Sequence, residues 1–131
     1  MGQLDGKELV RAVCRHAEEK AAEDIVVLDL NGISTIADYF IICSGTSLPH
    51  LRAVKDAIVD GLQKDDGMRS QPADGKMESH WLVLHYGDVL VHVFYPEKRE
   101  YYAIEDLWSD APRYDWKEDR TIPATDVGKE A

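Results

Sequence analysis

Three histidines and one aspartate stand within HWLVLHYGDVLVHVF, at residues 80–94, among valines, leucines and aromatic residues. Imidazole and carboxylate groups are the side chains that bind zinc and transfer protons near neutral pH. If this segment is a β-hairpin, His85 and His92 lie diagonally on one face and His80 points the other way. A catalytic zinc needs three protein ligands, and the sequence places no third ligand beside the pair. We therefore expect no metal site and interpret the histidines as hydrogen-bonding groups at a half-exposed surface.

The stretch SGTS, at residues 44–47, lies between a predicted strand and a predicted helix, where backbone N–H groups can hold a phosphate. It lacks the Walker lysine and the three-glycine dinucleotide pattern, so helix capping is the favoured interpretation. A strand ending in Gly-Thr-Ser is also similar to the opening of nucleotidyltransferases, which hold Mg²⁺ with several carboxylates. The segment VLVHVF, at residues 89–94, supplies no carboxylate, and Asp88 stands alone. We therefore do not expect an active nucleotidyltransferase.

Nucleophilic catalysis has no better support in the sequence. Cys14 and Cys43 are the only cysteines, they lack CxxC spacing, and no GxSxG motif occurs. We interpret both cysteines as buried free thiols in a reducing compartment. The sequence therefore predicts a protein with no catalytic residues and no cofactor.

The pattern of residues 80–94 predicts the hairpin itself, with Gly87-Asp88 as a two-residue turn in which glycine supplies the positive φ. In this register three pairs face the core: Leu82 with Val93, Leu84 with Val91, and Tyr86 with Val89. The opposite face carries Trp81 beside Phe94, Val83 beside His92, and His85 beside Leu90. Because one face is already aliphatic, the aromatic face is left for a covering helix or for a partner.

Periodicity over the whole chain predicts the order α-β-β-α-β-β-α, an α+β fold with helices packed on one mixed sheet. Asp5 and Glu8 form a capping-box-like start to the first helix. A second helix follows the capping residues Thr46 and Ser47 and stops near Asp66-Gly67. The remaining predicted segments are a helix at 6–21, strands at 24–30 and 38–45, a polar loop at 65–79, and a helix at 99–108 with Tyr101, Ile104 and Trp108 on one face.

The chain has 131 residues, enough for one compact domain with a core. We expect this domain to span residues 1–114. Residues 115–131 have no periodic pattern of apolar residues, so we expect them to form a flexible acidic tail. The formal net charge is −10, which argues against wrapping nucleic acid and favours a basic partner. No membrane span or secretory signal is recognisable, so a cytoplasmic location is expected.

Three separated motifs resemble one known family. They are IADYFIICSGTS at 36–47, WLVLHYGDVLVHVF at 81–94, and REYYAIEDLW at 99–108 with SDAPR after it. They resemble the ribosomal silencing factors, RsfS, also called iojap-like, and the resemblance covers nearly all of the chain to about residue 113. It implies a mixed sheet with helices, distantly similar to nucleotidyltransferases but without their catalytic carboxylates.

The resemblance also implies a non-enzymatic function. Family members bind large-subunit ribosomal protein fourteen, block joining of the small subunit and repress translation when nutrients are short. They are often homodimers when free. Carried over by motif, the residues that resemble the family's partner-binding positions are Trp81, Tyr86, Asp88, His92, Arg99, Tyr102, Glu105 and Trp108.

This chain departs from the family pattern at two places. His85 stands where an acidic residue usually precedes Tyr-Gly-Asp, so no carboxylate role carries over to position 85. Asp74-Gly75 replaces the usual Glu-Gly and keeps the charge. Two alternative functions stay open: assembly of the large ribosomal subunit, which resembles the role of a mitochondrial branch, and residual nucleotide binding at SGTS.

Overall fold

The computed structural model describes residues 6–68 and 81–124. The expected cap at Asp5, the Asp74-Gly75 pair, His80 and the tail beyond residue 124 lie outside the described residues, as does most of the polar loop. No helix within the two described ranges is long and apolar enough to cross a membrane. The elements are α1 (Gly6–Glu19), β1 (Glu23–Asp29), β2 (Tyr39–Ser44), α2 (Leu48–Asp66), β3 (Trp81–Tyr86), β4 (Val89–Phe94), α3 (Pro96–Tyr102), α4 (Ile104–Leu107), β5 (Arg113–Asp115) and β6 (Arg120–Ile122).

The six strands form one mixed sheet in the order β3-β4-β2-β1-β5-β6. β2 and β4 are parallel, and the other neighbouring strands are antiparallel. The predicted α+β fold with a single mixed sheet is therefore confirmed. The parallel pair requires a crossover, which α2 supplies between β2 and the hairpin.

Helices α1 and α2 cover one face of the sheet and form the main core with it. Apolar residues of α1, among them Val10 and Val13, meet Val54 and Ile58 of α2 and the aliphatic face of the hairpin. The helices approach closely at Gly61, where an added Cβ would lie 2.5 Å from the buried His16 ring. Glycine is required there because any larger side chain would displace the imidazole.

The two ends of α2 have the predicted caps. The Ser47 hydroxyl accepts a hydrogen bond from the backbone N–H of His50 at 3.2 Å, and Pro49 occupies the first turn. Gly67 ends the helix in the left-handed conformation with φ of +66°. Local sequence therefore sets both helix ends.

The hairpin has the predicted register. Leu82 pairs with Val93, Leu84 with Val91, and Tyr86 with Val89, and all six belong to the main core. Gly87 has a φ of +55°, so it supplies the positive φ that the turn needs. The predicted division of the hairpin into a core face and an aromatic face is confirmed.

The structure corrects two predictions for the C-terminal third of the chain. The single helix predicted at residues 99–108 is two short helices, because Ala103 adopts a left-handed conformation with φ of +46°. Tyr101 consequently points away from Ile104 and is 76% exposed. The sequence predicted no element after residue 114, but β5 extends to Asp115, β6 pairs with it, and Trp116 packs against the main core.

Candidate partner-binding face

The second face of the sheet carries a group of interacting rings, which we call the aromatic cluster: Phe40, Trp81, His92, Phe94, Tyr102 and Trp108. Trp81 lies between strand and helix, with its ring centroid 5.1 Å from that of Phe94 and 4.7 Å from that of Tyr102. Phe40 of β2 contacts His92 at 4.8 Å and Trp108 edge-on at 6.0 Å. The two short helices thus give this sheet face a cover, but Trp81 and Trp108 stay half-exposed.

His92 lies inside this cluster and is only 6% exposed, so the prediction of a half-exposed histidine is wrong for this residue. Its Nδ1 accepts a hydrogen bond from Trp81 Nε1 at 3.2 Å, which leaves the ring proton on Nε2. Burial lowers the pKa of His92 to about 4. The imidazole is therefore neutral at pH 7 and fixes the orientation of the indole.

His85 behaves as the sequence indicated. It is half-exposed, and its Nε2 donates to the carbonyl oxygen of Gly87 at 2.8 Å. Within residues 6–68 and 81–124, no three His, Cys, Asp or Glu side chains come together so as to hold a metal ion. The structure separates His85, bonded to the turn, from His92, which is enclosed by rings.

Arg99 connects the short helices to the end of β2. Its guanidinium donates to both carboxylate oxygens of Glu105, at 2.8 and 3.2 Å, and to the Ser44 hydroxyl at 3.0 Å. Residues six apart on one continuous helix point in widely different directions. The helix break at Ala103 is therefore what brings Glu105 back to Arg99.

The structure brings most of the predicted partner-binding residues to one end of the sheet, in three different environments. Trp81, Tyr102 and Trp108 are partly exposed on the aromatic face, and Asp88 is exposed at the hairpin turn. The Asp88 carbonyl accepts hydrogen bonds from the N–H groups of Asp38 and Tyr39, which joins the turn to β2. The residues that are enclosed or ion-paired are Tyr86 at 1% exposure, His92, Arg99 and Glu105.

Sequence reasoning missed several residues of this face. Phe40 belongs to the cluster although it lies on β2, and no local pattern in IADYFIICSGTS distinguishes it from an ordinary core residue. Tyr101 and Leu107 are exposed by 76% and 74%. Their exposure follows from the break at Ala103. No sequence signal predicts this break, since alanine rarely adopts a positive φ.

The fold and the aromatic cluster together define a class of small α+β domains, with helices on one sheet face and rings under short helices on the other. A crystal structure of a protein from Chromobacterium violaceum has the same fold, with a TM-score of 0.75 and 27% identity. The match covers 80% of this chain and 87% of that one. The architecture is therefore shared across nearly the whole domain.

The chain belongs to the family of ribosomal silencing factors, because the model described as "Ribosomal silencing factor during starvation" matches residues 3–130. The "Ribosomal silencing factor RsfS" of Bacillus subtilis is 38% identical over 112 residues, which cover 86% of this chain and 94% of that protein. The mouse "Mitochondrial assembly of ribosomal large subunit protein 1" is 36% identical over 94 residues, covering 70% of this chain and 41% of that protein. The family resemblance seen in the motifs is confirmed.

Proposed function

We propose that this protein silences ribosomes by binding the large subunit through its basic ribosomal protein fourteen. Bound there, it blocks association with the small subunit and represses translation under nutrient limitation or in stationary phase. The function is regulatory, requires no cofactor, and is exercised in the cytoplasm. The family description and the name of the Bacillus subtilis relative support the silencing function.

The observation that carries the proposed contact is the exposed apolar surface on and around α3 and α4. Of the large apolar side chains that are exposed in the described part of the chain, half lie here: Tyr101, Tyr102 and Leu107. The Tyr102 ring contacts the half-exposed Trp81, with 4.7 Å between the ring centroids, and Tyr101 contacts Tyr102 with 5.1 Å between centroids. Aromatic side chains concentrated in this way are typical of the core of a protein interface.

Exposed carboxylates lie on the same chain segment as this apolar surface. Glu97, Glu100, Asp106 and Asp110 are all exposed on α3, α4 and the segment that follows. Glu105 is neutralised by Arg99, so the acidic character comes from these unburied groups. Acidic groups on a segment with exposed aromatic residues are complementary to a basic ribosomal protein and should accelerate its association.

The predicted partner-binding residues divide by the roles that their environments support. We assign direct contact to Trp81, Tyr102 and Trp108, and a rim contact to Asp88. Arg99 and Glu105 hold the short helices against Ser44. Tyr86 and His92 act from the interior, Tyr86 within the hairpin core and His92 through its hydrogen bond to Trp81.

Co-sedimentation with purified large subunits, with small subunits as control, tests this proposal. Trp81→Ala should weaken binding to large subunits and to isolated ribosomal protein fourteen by roughly thirtyfold, since truncating an interface anchor costs about 2 kcal/mol or more. Val59→Ala on α2 is the control, because Val59 is also half-buried but packs against the opposite sheet face. Circular dichroism melts of all three proteins establish that they are folded at the assay temperature.

A folded Trp81→Ala protein that binds large subunits and blocks subunit joining at wild-type strength would show that the surface assignment is wrong. Equal weakening by Val59→Ala would point to general destabilisation. Sedimentation of the free chain tests whether it forms the homodimer that the family resemblance implies. Repeating it with Trp81→Ala determines whether the dimer contact and the ribosome contact use one surface.

A second candidate function is assembly of the large subunit, which the name of the mouse relative favours. The two functions predict different ribosome profiles in cells that lack the protein. Loss of an assembly factor accumulates incomplete large subunits during growth, whereas loss of a silencing factor leaves complete subunits that stay associated during starvation. Gradient profiles from growing and starved cells distinguish them.

A further inference from the structure

Helix α1 carries an exposed row of cations in a protein whose net charge is −10. Lys7, Arg11 and Arg15 recur every four residues, and all three are exposed. Residues at this spacing lie on the same side of a helix. The row therefore forms a local basic strip although acidic residues outnumber basic ones in the chain.

Aromatic residues of the β5–β6 region lie beside this row. Lys7 Nζ is 5.4 Å from the centre of the Tyr114 ring, and Lys117 Nζ is 5.4 Å from the centre of the Trp116 ring. Lys117 also forms an ion pair with Glu18 of α1 at 2.7 Å, with 62% and 49% of the two side chains exposed. Because this pair is well hydrated, it holds the lysine over the indole only weakly.

A cavity of about 430 Å³ opens where these groups meet, and we call it the basic groove. Three cations and one carboxylate line it together with an indole: Arg11, Arg15, Lys117, Glu18 and Trp116. Its volume lies within the range of small-ligand sites. A second cavity of about 430 Å³ shares Glu18, Trp116 and Lys117, but its other charged lining residues are Arg113, Asp24 and Asp115, so it is not basic. The two cavities meet at Trp116, and only the basic groove has the excess of cations that an anionic ligand needs.

We propose that the basic groove binds a segment of single-stranded RNA, with a base stacked on Trp116 and adjacent phosphates held by Arg11 and Arg15. Cationic grooves with aromatic stacking platforms are the usual means of binding single strands without sequence readout. An acidic peptide would match the cations but would make no use of the indole. Trp116 lies next to β5, near the opposite end of the sheet from the hairpin, so RNA binding here is independent of the partner contact proposed above.

Fluorescence anisotropy of a labelled oligouridine of about twelve nucleotides, a length within the usual range of single-strand sites, tests the proposal on the full chain. Arg11→Glu/Arg15→Glu should weaken binding at least about tenfold. It should also reduce the magnitude of the slope of log K against log salt by about 1.4, because each of the two lost phosphate contacts contributes roughly 0.7 to that slope. The control is Arg52→Glu/Lys55→Glu on α2, which changes the net charge equally outside the groove. We expect it to retain affinity within about twofold and to keep the wild-type slope.

Trp116→Leu separates stacking from charge, and should weaken binding about tenfold with an unchanged salt slope. If this variant does not fold, the arginine variant still decides the question, since both arginines are exposed. Three results would overturn the proposal: no binding by the wild type at low salt, equal weakening by both charge variants, or a mononucleotide or polyglutamate that competes as strongly as the oligomer.

Discussion

The buried imidazole of His92 should make the stability of the fold depend on pH in a predictable direction. Burial lowers the pKa of His92 to about 4, whereas an imidazole in the unfolded chain titrates near 6.5. Below pH 6.5 the unfolded state binds a proton that the folded state does not. The contribution is therefore fully present above pH 6.5 and is lost progressively as the pH falls towards 4.

The size of this effect follows from the two pKa values. The two pKa values differ by 6.5 − 4 = 2.5, so protonation of His92 lowers the free energy of unfolding by about 3 kcal/mol between neutral and low pH. About 1 kcal/mol of this loss occurs between pH 7 and pH 5.5. The second figure is set mainly by protonation of the unfolded chain, because the folded imidazole is still neutral at pH 5.5. That pH also lies above the isoelectric point of about 4.8, so the protein keeps its negative charge.

His92→Phe removes the titrating group and keeps a ring of similar shape in the aromatic cluster. Urea unfolding at pH 7 and pH 5.5 should show that the wild type loses about 1 kcal/mol more than this variant. His85→Gln is the matched control, since its ring is half-exposed on the same hairpin face, and it should follow the wild type. Identical losses in the wild type and His92→Phe would refute the reasoning, whatever the absolute stability of the variant.

Three further stability changes follow from the packing. Ending the chain after Tyr114 should lower the free energy of unfolding by about 2 kcal/mol, because it removes β6 and the packed Trp116 side chain. Ending it after Ala124 should change this free energy little, and denaturant titration of both shortened chains checks the difference. Arg99→Ala should lower the free energy of unfolding by about 3 kcal/mol, since it leaves the partly buried Glu105 without its cation. Adding Glu105→Leu should restore stability, and a double variant as unstable as Arg99→Ala would contradict the pairing argument. Gly61→Ala should lower the thermal midpoint although alanine favours helix by about 1 kcal/mol, because the new methyl group meets the buried histidine ring of α1; an increase in the midpoint would show that the helices move apart freely.

Local sequence was sufficient for the features that depend on neighbouring residues alone. The alternation of residues 81–94 around Gly87-Asp88 determined the hairpin register, because a shift by one residue would move every apolar side chain to the other face. It also identified Tyr86 as a core residue, which the structure confirms. The family motifs suggested a partner-facing role for Tyr86, but a motif does not distinguish a contact residue from one that supports the contact from inside.

Long-range pairing decided what the sequence left open. The strand pattern carried no information that β2 lies parallel to β4, and this pairing is what brings Phe40 to His92 and Ser44 to the segment that holds Arg99. The left-handed turn at Ala103 is held by such contacts and opposes the local preference of alanine for helix. An apolar-periodicity argument therefore predicts one continuous helix there.

Charge gives the same contrast. The net charge of −10 follows from the sequence alone, in which acidic residues outnumber basic ones. Only the fold determined that Arg11 and Arg15 of α1 meet Lys117, a residue more than a hundred positions away, beside one indole. Net charge sums over the chain and carries no positions, whereas binding depends on which charges lie within about 10 Å of one another.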